Sequence, residues 1–185
     1  MPQRPYKNEF RIIAGAWRSR RCTFPPREGL RPTPDRVRET LFNWFGSRIE
    51  GARCLDLFAG SGALGLEALS RGAGRVVFVE RDREAAQGIA ANLARLDGKC
   101  AEVVAMDAVN YLAGTDESFD IVFLDPPFAS GLLDLVLDPL QARLRPDARI
   151  YLEFPLAAGA PPLPTNWQLL KSKRAGQVGY GLATI

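Results

Sequence analysis

The chain of 185 residues is 46% hydrophobic and 24% charged, proportions of one globular domain with its own core and not of a disordered segment. It contains no histidine, which excludes Ser-His-Asp and Cys-His catalysis and every imidazole metal site, and no apolar run approaches the ~20 residues of a membrane span. The net charge of +3 divides into 12 Lys/Arg against 5 Asp/Glu over residues 1–53, 9 against 16 over residues 54–160, and 3 against none over residues 161–185.

Basic ends around an acidic middle fit a chain that meets a polyanion with one part and performs another task with the rest; a lopsided solvated surface gives the same counts. The opening MPQRPYKNEFR has no apolar h-region, so a secretory signal is not expected. Cys22, Cys54 and Cys100 stand far apart without Cys-x-x-Cys spacing. That disfavours a disulfide framework and a zinc ribbon, and fits a reducing, cytoplasmic setting. Cys54, inside an apolar stretch, reads as a buried inert thiol.

In chain order, Phe10-Arg11-Ile12-Ile13-Ala14-Gly15 and Arg20-Arg21-Cys22-Thr23-Phe24 read as two short strands joined by a turn, closed by Pro25-Pro26. A loop carrying Arg31-Pro32-Thr33-Pro34 leads to a helix, with Thr33 as its cap and Pro34 in the first turn, where a missing N–H costs nothing. Val37, Leu41, Trp44 and Phe45 recur at helical spacing as its buried stripe. From residue 53 strands and helices alternate. Strands are expected at residues 54–58, 76–79, 102–105, 119–124 and 148–152, with helices at residues 62–71, 83–96, 108–113 and 131–144 between them. Short, mostly apolar strands of this kind belong to a parallel sheet covered on both faces. After the Pro-rich link at residues 160–164, strands at Trp167–Lys173 and Gln177–Ala183 are separated only by Arg174-Ala175-Gly176. That is too short for a helical crossover, so they form an antiparallel hairpin at the sheet edge.

Asp56-Leu57-Phe58-Ala59-Gly60-Ser61-Gly62-Ala63-Leu64-Gly65 follows the first of these strands and opens a helix. Its glycines hold G-x-G positions that let backbone approach a ligand at a helix N-terminus; alone, the same spacing marks a tight turn. The loop lacks Gly-Lys-Ser/Thr, which disfavours a triphosphate. Glu80 ends the next strand, 20 residues beyond Gly60, where a carboxylate can accept both hydroxyls of a ribose. Asp107, after the third strand, is placed to meet an adenine amino group. Each acid taken singly is a solvated strand-end residue; three at successive strand ends point to a ligand edge.

Asp125-Pro126-Pro127-Phe128 follows the fourth strand. A lone Pro-Pro is a rigid turn, but here it stands beside the glycine loop. An amino nitrogen on an aromatic base is a poor nucleophile, because its lone pair is delocalised into the ring. The Asp125 carboxylate and the Pro126 carbonyl can accept its two N–H bonds, and Pro127 stiffens that acceptor pair. Phe128 offers a face on which a flipped base stacks, worth about 1–3 kcal/mol.

With these residues the sequence resembles the S-adenosylmethionine-dependent methyltransferases of planar exocyclic nitrogens, with their Asp/Asn-Pro-Pro-Tyr/Phe signature. Arg11-Ile12-Ile13-Ala14-Gly15, the stretch LRPTPDRVRETLFNW from Leu30 to Trp44, LDLFAGSGALGLEA from Leu55 to Ala68, FLDPPF from Phe123 to Phe128 and KRAGQVGY from Lys173 to Tyr180 extend the likeness over nearly the whole chain. Together they resemble the bacterial RsmD family, with Ala14 standing where the pattern has a second glycine. The resemblance implies an α/β, Rossmann-like class I methyltransferase with a seven-stranded, mostly parallel sheet, an antiparallel edge hairpin and a small N-terminal β-hairpin extension. Residues 1–34 would form the basic extension and loop, and residues 35–185 the methyltransferase domain, in one compact unit.

It further implies methyl transfer from S-adenosylmethionine, leaving S-adenosylhomocysteine, to N2 of one guanine of 16S rRNA, at position 966. The substrate would be an assembled or assembling 30S particle, and the enzyme a cytoplasmic monomer without a metal. Phe58, Gly60 and Gly62 would contact the methionine part of the cofactor, Glu80 its ribose and Asp107 its adenine, with Asp56, Ala59, Ser61, Arg81, Ala108 and Asp125 completing that site. Arg11, Trp17, Arg18, Arg20, Arg21, Arg31, Lys171 and Lys173 would meet RNA, the cations on its phosphates. Trp17 packing on the hairpin, and the two lysines as solvated edge-strand charges, are the competing readings. Asp-Pro-Pro-Phe serves adenine N6 as well as guanine N2, so an N6-adenine DNA or RNA methyltransferase is the rival enzyme. An RNA-binding module that has lost activity is the rival of another class, opposed by the intact glycine loop and tetrapeptide.

Overall fold

Neighbouring residues along each central strand enter different cores, and this alternation decides the layers of the molecule. In the computed structural model, which describes residues 8–185, β1 (Glu9–Arg11) and β2 (Arg21–Thr23) pair antiparallel with Phe10 opposite Cys22. They are followed by α1 (Asp35–Phe45), β3 (Arg53–Asp56), α2 (Ala63–Ser70), β4 (Arg75–Val79) and α3 (Arg83–Leu96). Next come β5 (Ala101–Val104), α4 (Ala108–Gly114), β6 (Phe119–Leu124), α5 (Leu132–Gln141), β7 (Leu144–Pro155), β8 (Gln168–Ala175) and β9 (Val178–Thr184). The seven strands from β3 onward form one sheet in the order β5-β4-β3-β6-β7-β9-β8. All neighbours as far as β7 are parallel, and β9 runs antiparallel between β7 and β8.

This is the expected Rossmann-like sheet with its edge hairpin, and β1 and β2 form the separate small hairpin. Cys54, Phe78, Phe123 and Tyr151 face α1, α2, α3 and that hairpin, whereas Leu55, Val77, Val122 and Ile150 face α4 and α5. Cys54 is fully buried, and burial drives its thiol far above the ordinary pKa, so it is inert. Strand order reverses between β3 and β6, which opens a crevice at their carboxyl ends. No helix among the described residues is long and apolar enough to cross a membrane.

The small hairpin departs from its expected form. Instead of continuing to residue 15, the chain leaves β1 after Arg11 and turns its backbone donors towards α2. Ile13 and Ala14 donate to the Glu67 carboxylate at 2.9 and 3.1 Å, and Ala16 and Trp17 donate to the carbonyl and hydroxyl of Ser70 at 2.7 and 2.9 Å. At Gly15 (φ +84°) the approach is so close that a Cβ would stand 1.8 Å from the Ser70 carbonyl oxygen. Ala14 has no positive φ, so an alanine fits where the family pattern has its second glycine.

Four further expectations are corrected. Thr33 does not cap α1: no side chain caps that helix, and the Thr33 carbonyl instead accepts from Arg38 Nε at 3.0 Å. The buried face of α1 includes Arg38 and Phe42, while Trp44 is only half-buried and stacks on Tyr180, ring centroids 5.6 Å apart. The helix expected at residues 131–144 is α5, which starts at Leu132 after a 3-10 turn at Phe128–Ser130 and stops at Gln141. Leu144 already pairs with Phe119 of β6, and after a register shift β7 runs on to Pro155, with β9 paired to it from Arg149 onward. The strand expected to reach residue 58 ends at Asp56, and Leu57 and Phe58 belong to the glycine loop.

Arg38 and Glu67 are both fully buried and 3.1 Å apart. Arg38 also donates to the carbonyl of Arg11 at 2.9 Å and to Asp35 at 2.6 Å, and lies over the Phe10 ring; Glu67 also accepts from Arg71 at 2.7 Å. Removing one partner strands the other charge in the core. Glu67→Ala is expected to lower unfolding free energy by about 3–5 kcal/mol, read as a lower urea midpoint. A loss under about 1 kcal/mol, the size seen for an exposed pair, would show that the pair is not the fastening between hairpin and α2.

Candidate active site

The carboxyl ends of β3, β4, β5 and β6, together with the loop over residues 27–34, surround a cleft of about 820 Å³, the size of a small-molecule site. The loop is tied down at its start by Arg27, which pairs with Asp82 and Glu84 at the head of α3. It was read from sequence only as a connector with one RNA-facing arginine, yet it supplies a wall of the cleft from Arg27 to Pro34.

The glycine loop forms the opposite wall. Asp56 is 2% exposed and accepts the Gly65 N–H at 3.0 Å. Gly60 (φ +53°) and Gly62 (φ +78°) are left-handed; a Cβ on Gly60 would come within 3.1 Å of Leu30, and one on Gly62 within 3.0 Å of Ile89. Phe58, Ala59, Ser61 and Arg81 border the same space. Glu80 accepts the Gly60 N–H at 2.7 Å on one oxygen and the Asp82 N–H at 2.8 Å on the other. It therefore shapes the loop, and each oxygen keeps a lone pair for a further donor such as a ribose hydroxyl. Asp107 carries a duty not foreseen in the sequence: it caps α4, accepting the Asn110 N–H at 2.9 Å and the Asn110 amide. The Asn110 backbone bond holds its carboxyl below the usual pKa. It still borders the cleft, beside the exposed Met106 and Ala108.

The turn after β6 is rigid. The Pro127 carbonyl accepts the Ser130 N–H at 3.1 Å as well as the Ser130 hydroxyl. Among the described residues no protein donor reaches the Pro126 carbonyl. Phe128 is 43% exposed, so its ring presents a bare face at the cleft. Asp125 has a neighbour that the sequence reading missed. Leu124 of β6 lies opposite Leu152 of β7, which brings the following residues, Asp125 and Glu153, side by side. Glu153 is 8% exposed, lines the cleft and accepts the Tyr151 hydroxyl at 2.6 Å. Burial first, then the charge of Glu153, raises the Asp125 carboxyl well above its ordinary pKa, and burial raises Glu153. Two such carboxyls cannot both ionise cheaply, so the ionisation of each opposes that of the other. Burial also lifts Asp56 to about 7, against the lowering effect of its Gly65 bond. The signal for Glu153 was present in the sequence, an acid just beyond an apolar strand, the same signal that marked Glu80 and Asp125.

These residues fit S-adenosylmethionine. A side chain at Gly60 would narrow the cradle against Leu30, whereas one at Gly62, off the cleft wall, would press on the buried Ile89; Glu80 has acceptor capacity for a ribose, and the Asp56 carboxyl gives the site a potential suited to a sulfonium cation.

The basic residues named from sequence do not converge. Arg31 borders the cleft, and Arg11 is exposed beside Asp35 at 3.3 Å. Arg20 reaches the carbonyl of Arg95 at 3.3 Å, Arg21 pairs with Glu9 at 2.7 Å, and Trp17 packs against the core beside Gly98. Ser70 and Arg95 stand at the ends of α2 and α3 remote from the cleft. The 14 residues of α3 span about 21 Å at ~1.5 Å each, so the hairpin turn with Trp17, Arg18 and Arg20 lies at the opposite end of the molecule. Lys171 and Lys173 are exposed on the edge strand β8. Arg174, at its end, joins Arg36 around a second hollow of about 520 Å³, which shares Pro34 with the cleft.

Residues 10–184 match the family described as Conserved hypothetical protein 95. The chain is 48% identical over 183 residues to the ribosomal RNA small subunit methyltransferase D of Escherichia coli strain K12, covering 98% of this chain and 92% of that protein. Among solved structures, a putative methyltransferase from Escherichia coli superposes with a TM-score of 0.88 at 48% identity, covering 95% of this chain and 97% of that one. A putative methyltransferase complexed with SAH shares the fold at a TM-score of 0.68 and 17% identity, over 81% of this chain and 48% of that one.

Burial of Asp56 has a sign that can be measured. A carboxyl raised from 3.8 to about 7 on folding adds no cost while it is protonated in both states, and destabilises the fold progressively as pH rises through that window. Asp56→Asn keeps an acceptor for Gly65 and removes the charge. Urea unfolding without ligand should therefore show the variant gaining stability over the parent as pH rises from about 4 to about 7. A difference independent of pH would mean that Asp56 is not the group titrating.

Proposed function

Since the chain belongs to the RsmD family, that of the ribosomal RNA small subunit methyltransferases D, we propose that it methylates the exocyclic N2 of a guanine in 16S rRNA, position 966 by family resemblance. The observation that carries this reading is the Asp125 carboxyl next to a Pro126 carbonyl that no donor among the described residues reaches, both lining a cleft that the exposed Phe128 and the glycine loop also border. S-adenosylmethionine supplies, when bound, a methyl group on a sulfonium, which departs as a neutral thioether and needs no acid.

The residues of the chain do the remaining work. With the cofactor bound, Gly60 would let the loop backbone lie close to it, Glu80 would orient its ribose, and Asp107 and Ala108 would border its adenine. The base is extruded from the RNA and stacks on Phe128. The Asp125 carboxylate and Pro126 carbonyl accept the two N2–H bonds and hold the nitrogen lone pair along the line of transfer. Once methylated, the nitrogen sheds a proton, and Asp125, made more basic by burial, accepts it. No histidine is required.

RNA phosphates are best placed at the cleft mouth, on Arg31 and on Arg36 and Arg174 around the adjoining hollow, with Lys173 following along β8. Arg18 and Arg20, about 20 Å away along α3, meet a distant part of a large particle. That substrate, the assembled or assembling small subunit, places the enzyme in the cytoplasm, where a monomer suffices.

Ribosomal RNA from a deletion strain and from its complement, digested and analysed by mass spectrometry, should differ in N2-methylguanine. Return of N6-methyladenine instead would replace this reading with the rival enzyme. Asp125→Ala should lower turnover at least about 100-fold while calorimetry shows cofactor binding retained; unchanged turnover would remove Asp125 from the chemistry. Replacing Arg31, Arg36 and Arg174 by alanine should reduce the slope of log K against log salt by about 2–3. Replacing Arg18 and Arg20 should change it less. The opposite ranking would return the principal RNA contact to the hairpin turn.

A further inference from the structure

The chemistry above uses Asp125 and leaves its buried partner, Glu153, without a task. Glu153 stands beside Asp125 across the β6–β7 register, borders the cleft and has one oxygen fixed by the Tyr151 hydroxyl at 2.6 Å. The described groups that act on its charge are Tyr151 and Asp125, and no Lys or Arg is among them. A carboxyl buried without a cation is costly, and an uncharged glutamine would serve Tyr151 equally well as an acceptor. The arrangement becomes intelligible when the substrate brings the missing donor.

We propose that Glu153 is the specificity-determining residue of the acceptor site, accepting the N1–H of guanine while Asp125 accepts from the adjacent N2. The inference rests on the guanine reading given above. Guanine presents two neighbouring donors, N1–H and N2–H, to two neighbouring carboxyls. Adenine presents its N6 amine beside an unprotonated N1, so a Glu153 oxygen would face a lone pair. The two N–H donors stabilise both carboxylates at once and offset their mutual repulsion. Tyr151 acts through Glu153, as a positioning residue that aims the carboxyl.

Small subunits reconstituted with 2-aminopurine in place of the target guanine test this directly, because that base keeps the 2-amino group and has no N1–H. Wild-type enzyme should methylate them roughly 10- to 100-fold less efficiently in kcat/KM than guanine particles, as for the loss of one paired donor. Glu153→Gln keeps an acceptor for Tyr151 and can donate to an unprotonated N1. It should lose guanine methylation by a similar factor and narrow or reverse the preference, with cofactor affinity by calorimetry and melting temperature retained. Equal methylation of both particles by wild type overturns the inference and leaves the proposed function standing. Equal slowing on both particles by Glu153→Gln also overturns it, reducing Glu153 to a support for Asp125. Absence of N2-methylguanine from the guanine particle with wild type overturns the guanine reading itself, and this inference with it. The wild-type comparison decides the matter even if the variant fails to fold.

Discussion

One buried guanidinium ties the small hairpin, α2 and the loop before α1 to one another. Arg38 spends its donors on the Arg11 carbonyl in the hairpin, the Thr33 carbonyl in the loop before α1, the Asp35 carboxylate and the buried Glu67 of α2. Glu67 in turn takes the Ile13 and Ala14 N–H groups. An ion pair in a core adds little net stability compared with apolar packing, but its directional bonds admit one arrangement. Its consequence reaches the cleft. The loop over residues 27–34 is fastened at one end by Arg38 on Thr33 and at the other by Arg27 on Asp82 and Glu84, so a wall of the cleft depends on an ion pair at its rim and on a buried guanidinium behind it.

The opposite economy governs the strand ends. Asp56, Asp125 and Glu153 lie on one side of the sheet, each with a raised pKa that has burial as its largest cause. A fold selected for stability alone has no use for three such groups in one place. Their cost is consistent with a site that must accept N–H donors and attract a cation, which is where perturbed carboxyls concentrate. Rigidity comes from neutral partners instead: Gly65 for Asp56, Tyr151 for Glu153, and the Ser130 turn behind Pro127.

The amino-terminal excess of positive charge is smaller at the surface than in the sequence. Arg38 is buried, and Arg11, Arg21, Arg27 and Arg53 lie within ion pairs. These cations fasten the hairpin, the loop and β3 to the body. The arginines left for a polyanion beside the cleft come from distant stretches, Arg31 and Arg36 before and within α1 and Arg174 at the end of β8. Arg31 and Arg36 thus meet Arg174, from the other end of the described chain, at one mouth, while Arg18 and Arg20 lie at the far end of α3.

The sequence by itself determined the doubly wound sheet, the edge hairpin and the two loops that carry the chemistry. Each is written in contiguous residues: apolar runs of strand length, a G-x-G at a strand-to-helix junction, Asp-Pro-Pro-Phe at a strand end, and a link too short for a crossover. Local backbone preference is enough to decode such signals. Only the tertiary structure decided that Arg38 finds Glu67, that Asp125 shares its site with Glu153, that Thr33 serves Arg38 and not its own helix, and that the hairpin turn points away from the cleft. Those outcomes depend on strand register and on which polar groups are buried together, and residues about 30 positions apart acquire that relation only when the sheet and its covering helices have packed.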